Sequence, residues 1–176
     1  DLMQLVEDVA LLKAGKEARH AAAAHFPGRW LEGPWPASPT GMIDKFMSFG
    51  QPEAARRYLD RFLAREGVAA NQDLSESYFL VGSELALQKK FQEAMGTLAQ
   101  AIKLNPAKTR ARLQLATLLF RFQRFAEAVP HLRMVVAEQP LVHNTRKMLA
   151  LALSQSGDYA NAVRHLVCLG IKPLYF

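Results

Sequence analysis

Apolar residues fall at helical spacing along most of the chain, and over residues 75–176 they do so with a fixed period. Tyr78, Val81, Leu85 and Leu87 form one amphipathic run. A polar turn at Gln88-Lys89-Lys90 interrupts it, and Phe91, Ala94, Met95, Leu98, Ala101 and Ile102 form a second run. Asn105-Pro106 ends that run, because proline cannot continue a helix. The same order recurs around turns at Phe122-Gln123-Arg124 and Ser156-Gly157-Asp158. Ala94, Ala128 and Ala162 lie 34 residues apart, and Phe91, Phe125 and Tyr159 keep that interval. So do Leu98, Leu132 and Leu166, then Leu85, Leu119 and Leu153, then Val81, Leu115 and Leu149. A period in this range predicts stacked supersecondary units, here helix–turn–helix pairs over 75–108, 109–142 and 143–176. Gly82 and Ala94 are expected to let paired backbones approach, with the aromatic column wedged against the next unit.

These columns resemble the tetratricopeptide repeat. That family's signature places small residues at the eighth, twentieth and twenty-seventh positions and a proline at the thirty-second. The first unit matches with Gly82, Ala94, Ala101 and Pro106. The second has Ala116, Ala128 and Pro140 but Val135, and the third has Ala150 and Ala162 but Leu169 and Leu174. Tyr78, Arg112 and Arg146 stand where the signature has tryptophan. The resemblance implies an all-α fold, a right-handed solenoid of stacked antiparallel helix pairs.

Upstream the pattern weakens. Leu5, Val6, Val9 and Leu12 form a stripe, and Gly15 precedes a run with Ala18, Ala21 and Ala22, so 1–26 is expected to be a helical hairpin. Residues 27–38 carry Pro27, Pro34 and Pro36 with Trp30 and Trp35, and read as a linker whose tryptophans cover the solenoid flank. Met42, Ile43, Phe46 and Phe49 lead through Gly50-Gln51-Pro52 into Ala54, Ala55, Tyr58, Leu59, Phe62 and Leu63. Glu53-Ala54 echoes Glu93-Ala94, which makes 39–66 a divergent repeat with a shortened turn. Residues 67–73 read as a connector, with Asp73 or Ser75 available to cap the next helix.

Half the residues are apolar and 22% are charged, the composition of a folded, soluble chain. No apolar stretch is long enough to span a bilayer, so no membrane insertion is expected. The start at Asp1-Leu2-Met3 is not a signal peptide; without an initiator Met, a fragment or processed form is expected. A single Cys168 excludes an internal disulfide framework. Localisation stays open, with the cytoplasm preferred and the periplasm as alternative. The net charge of +6 is concentrated in 109–147, where seven Arg and Lys stand against Glu127 and Glu138. The cations are spread over several helical faces, which favours an acidic protein partner over nucleic acid.

Catalytic chemistry finds no support. His131 and His165 share a repeat column, which packing alone explains, and no His pair has zinc-ligand spacing. Cys168, three residues after His165 in an apolar run, reads as a mid-helix core cysteine. There is no phosphate-binding or dinucleotide glycine loop. No enzyme, cofactor or metal is expected.

The resemblance implies that the first helix of each unit lines a concave groove. Its positions here include Phe79 and Ser83, then Arg110, Leu113, Thr117, Phe120 and Arg121, then Lys147 and Leu151. Phe79, Leu113, Phe120 and Leu151 are expected to form an exposed apolar strip beside Arg110, Arg121 and Lys147. The positions that clamp chaperone C-terminal carboxylates in one subgroup hold Phe79, Ser83, Gln114, Asn144 and Met148, so that ligand is not expected. The function expected is a non-catalytic scaffold binding an apolar, acidic segment of a partner protein. The alternatives are an accessory domain of a larger enzyme or envelope assembly, and anionic-polymer or nucleic-acid binding through 109–147. Self-association through the uncapped C-terminal repeat is a further partner reading.

Overall fold

The computed structural model describes residues 40–66 and 71–170. Among them lie eight α-helices and no strand: α1 (Thr40–Ser48), α2 (Pro52–Glu66), α3 (Asn71–Leu87), α4 (Phe91–Leu104), α5 (Thr109–Arg121), α6 (Phe125–Glu138), α7 (His143–Gln155) and α8 (Tyr159–Val167). Successive helices pair as hairpins, and the hairpins stack in chain order into an all-helical solenoid. The periodic leucines are the core: Leu85, Leu98, Leu132, Leu149 and Leu153 are all buried. The 1–26 hairpin and 27–38 linker read from the sequence lie outside the described residues.

Packing, not capping, holds these helices. From α4 to α8 only Asp158 supplies a side-chain cap, accepting from the Asn161 backbone N–H at 3.3 Å. Helices of this length are marginal alone, so they depend on burying an apolar face. The closest approach is at Gly82 in α3. A Cβ built there would lie 2.9 Å from Leu98 Cγ and 3.3 Å from the Leu98 backbone nitrogen. The equivalent Ala116 and Ala150 are buried but accommodated, so the α3–α4 pair meets without room for even a methyl group.

Each hairpin reverses through the same motif. Lys90 N–H donates to Leu85 C=O and Lys89 N–H to Ala86 C=O, at 2.9 and 3.1 Å. Gln51 to Phe46 with Gly50 to Met47, Arg124 to Leu119 with Gln123 to Phe120, and Asp158 to Leu153 with Gly157 to Ser154 repeat it. This is the Schellman pattern, which needs a left-handed residue just past the helix end. Gly50, Lys89, Gln123 and Gly157 fill that place with φ of 67°, 64°, 60° and 87°. Glycine adopts this backbone freely, whereas a residue with a Cβ is strained there.

The residues in the signature's tryptophan position bond to the preceding unit. Tyr78 O–H donates to Asp60 Oδ1 at 2.8 Å. Arg112 Nε donates to the Pro106 carbonyl at 2.8 Å, and Arg146 to the Pro140 carbonyl at 2.9 Å. These arginines act on the half-buried histidine of their own unit. Burial, and then the Arg112 charge, holds His131 below its ordinary pKa, and its buried Nδ1 has no hydrogen-bond partner. Burial, then Arg146 and Arg133, does the same to His165.

Three details depart from the sequence reading. The connector expected over 67–73 is shorter, because α3 already begins at Asn71. Ser75 is no cap; it is buried in α3 and its hydroxyl donates to the Ala101 carbonyl at 2.9 Å. Cys168 is exposed and lies just past the end of α8, at its C-cap, instead of mid-helix in the core. A further feature, outside that reading, is Pro130, which sits inside α6, exposed, where water can solvate the carbonyl that loses its helical partner.

Three stability outcomes follow, each readable by urea or thermal unfolding. Gly82→Ala should lower stability by roughly 1 kcal/mol, since overpacking costs about 1–3 kcal/mol and helix propensity returns about 1. Gly96→Ala, mid-α4 and exposed, should raise it by about 1 kcal/mol, because only the Arg56 guanidinium lies near, at 3.8 Å. Lys89→Gly and Gln123→Gly should each stabilise by about 0.5–1 kcal/mol by releasing the left-handed strain.

A pH dependence comes from the histidines. Above the ordinary value of 6.5 both states are neutral and the imidazoles contribute no slope. As pH falls through that value the unfolded chain takes up protons that the folded chain resists, so stability drops. The urea midpoint should be lower near pH 5.5 than near pH 7.5, and the His131→Gln, His165→Gln pair should flatten the difference. An unchanged drop in that variant would assign the effect to other groups.

Candidate protein-interaction surface

The first helix of each pair presents one side that the stacking does not consume. On α5, Arg110, Leu113 and Thr117 follow at helical spacing along one stripe, which Phe120 and Arg121 extend to the helix end. Lys147 and Leu151 are one turn apart on α7, which touches α5. Phe79 and Ser83 belong to α3 and join α5 directly. The Ser83 hydroxyl is 2.7 Å from Gln114 Oε1 and 2.8 Å from the Phe79 carbonyl. The Arg110 guanidinium lies over the Phe79 ring at 5.1 Å, and Lys108 Nζ lies at 5.4 Å.

The residues are therefore brought together, but not as the expected exposed apolar strip. Phe79 is only 7% exposed, because it packs into the core beneath those two cations. Leu113 is half-buried, and half-buried Phe120 is engaged edge-on with Phe125, ring centroids 5.2 Å apart. Of the four apolar residues only Leu151 is exposed, at 51%. Arg110, Thr117, Arg121 and Lys147 are exposed, so this face is cationic and polar with isolated apolar points.

Ion pairing separates structural cations from spare ones. Lys108 pairs with Glu76, Lys90 with Glu53, Arg124 with Glu127, and Arg133 with Asp158 at 3.4 Å. None of the ion pairs among the described residues involves Arg110, Arg121 or Lys147.

A feature the sequence reading missed lies at the turn edge between the first two units. Lys89, Lys90, Phe91, Gln92, Glu93 and Phe122 line a shallow, open recess. The Phe91 and Phe122 rings meet at 5.2 Å with a 59° tilt, and the Arg121 guanidinium sits 4.9 Å above Phe91. Phe122 is 39% exposed although it is aromatic. The signal available in the sequence was Phe122 at a turn where the neighbouring units have Gln88 and Ser156.

Among the described residues no group of three or more His, Cys, Asp or Glu is placed to hold a metal. No helix there is long and apolar enough to cross a membrane.

Comparison with known proteins agrees with this geometry. Residues 85–149 match the tetratricopeptide-repeat family model, and the chain carries a tetratricopeptide-repeat-like domain. The matched segment contains Arg110, Leu113, Thr117, Phe120, Arg121 and Lys147. No curated protein sequence matches. Among solved structures the chain is similar to MamA from Desulfovibrio magneticus RS-1, at 24% identity over 74% of this chain and 73% of that one, with a TM-score of 0.52. It is also similar to MamA of strain AMB-1, at 18% identity, 95% and 96% coverage and a TM-score of 0.55. A MamA mutant aligns over 96% of both chains at 17% identity with a TM-score of 0.58. At these identities the likeness is one of fold.

Proposed function

We propose that the protein is a non-catalytic scaffold whose first-helix face docks an acidic segment, bearing isolated apolar side chains, from a partner protein. The observation that carries this is the set of uncommitted cations: Arg110 and Lys147 are exposed on adjacent units without carboxylate partners, whereas Lys108, Lys90, Arg124 and Arg133 are neutralised. Arg110 is steadied by the Phe79 ring beneath it, and its planar donors, outside the ion pairs of the described residues, suit a ligand carboxylate. Thr117 and Leu151, further along the same two helices, supply a hydroxyl and an apolar contact. Stacked helical hairpins offer extended surfaces of this kind.

The test is fluorescence anisotropy with short labelled peptides rich in Asp and Glu and carrying single Leu or Phe residues. The Arg110→Glu, Lys147→Glu variant should bind at least about tenfold more weakly, the loss of roughly two charge-assisted contacts. Circular dichroism should show the fold unchanged, since both side chains are exposed. Equal affinity in the variant would remove this face as the docking site.

A further inference from the structure

We propose that the turn-edge recess between the first two units is an anchor site for one aromatic side chain flanked by carboxylates, carried by an acidic protein segment. The proposal rests on the reading of the first-helix face above and names what fixes the segment's register.

The floor is aromatic. Phe91 and Phe122 meet at a tilt, and Phe122 remains 39% exposed, so a third ring can join by edge or offset contact. The rim is cationic. Lys90 is committed to Glu53, but Lys89 is exposed and outside every ion pair among the described residues, as is Arg121. Against these two spare cations stands one exposed carboxylate, Glu93. The balance favours an anionic occupant. Arg121 is held over Phe91 at 4.9 Å and so presents its donors in a set direction. It also ends the α5 stripe that carries Arg110 and Thr117, which makes the recess continuous with the docking face.

The backbone adds an independent observation. At the outer two described turns the left-handed position is glycine, Gly50 and Gly157. At the two turns that flank the recess it is Lys89 and Gln123, with φ of 64° and 60°. A side chain kept where the backbone prefers none marks a place where strain is retained for a contact. Lys89 lines the recess, within reach of such a contact.

The experiment is a double-mutant cycle using two labelled acidic peptides that differ only in a central Phe or Ala. On the wild-type protein the Phe peptide should bind about tenfold more tightly, the worth of one well-packed aromatic anchor. On Phe122→Ala the advantage should shrink to less than about twofold. Lys89→Gly should weaken both peptides several-fold while raising the thermal midpoint, so that this loss cannot come from unfolding. A full tenfold advantage retained on Phe122→Ala would overturn the anchor site; the docking face would still stand if Arg110→Glu, Lys147→Glu abolished binding. Failure of both peptides to bind wild-type protein would remove both readings. A single-stranded oligonucleotide that binds with steep salt dependence and is lost on Phe122→Ala, with no coupling in the peptide cycle, would reassign the recess to stacked bases.

Discussion

A helix pair of this kind buries only part of its apolar surface, and the second helix stays bare on its outer side until the next pair arrives. Phe91 is covered by Phe122, and buried Met95 has the Arg124 guanidinium over its sulfur at 4.0 Å; both covering residues belong to the following unit. Val129, the residue equivalent to Met95, packs against the core. On α8 the same columns hold Tyr159 and Val163, which are 66% and 41% exposed, and Val167 one turn further is 53% exposed. Stability in such a stack is a sum of units and their interfaces, so each interface acts mainly on its neighbours. The Gly82–Leu98 approach is therefore a local constraint that also positions α3, α4 and the turn between them.

The hairpin turns convert that stacking into fixed register. Four successive Schellman motifs, closed on Phe46, Leu85, Leu119 and Leu153, start the second helix of each pair at the same angular position. The unit-to-unit connections do the complementary task with side chains, through Arg112 on Pro106 and Arg146 on Pro140. An arginine here replaces the bulk of an aromatic residue with directed hydrogen bonds. The adjacent imidazoles then sit beside positive charge, which is why burial and Coulomb repulsion act in the same direction on His131 and His165.

Much of the fold was legible because its determinants are periodic. The leucine and alanine columns locate the core, and the turns at 88–90, 122–124 and 156–158 lie where the polar breaks placed them. The details that escaped are those where one residue type has two uses. Ser75 reads as a cap from its position but bonds to Ala101 from inside a helix. Cys168 reads as a core cysteine from its apolar run but lies exposed just past the end of α8. Lys89 and Gln123 give no sign of a left-handed backbone, although Gly157 in the same column does. The candidate site was half legible: the resemblance implied a ligand-facing surface that included Arg110, Thr117, Arg121, Lys147 and Leu151, all of them exposed, but it could not foresee that Phe79 sinks beneath Arg110 or that Phe120 turns to Phe125.

The departures from the period are where recognition can reside. Columns that repeat, such as Gly82, Ala116 and Ala150, are consumed by helix packing, and a residue used that way is unavailable to a ligand. Columns that do not repeat have no common packing task. At the hairpin edge these columns read Leu87, Arg121 and Gln155, then Gln88, Phe122 and Ser156, then Lys89, Gln123 and Gly157. This aperiodic stretch of the repeat thus coincides with a recess that joins an exposed aromatic ring to uncommitted cations. A stack of near-identical units presents near-identical surfaces, and selectivity for one register of a partner requires that some unit differ. In this chain the second unit differs from its neighbours at the surface, with Phe122 and Arg121 at its turn and Arg110 at its entry. Its two neighbours supply Phe91 and Lys147, so recognition built there uses all three units while its specificity resides in one.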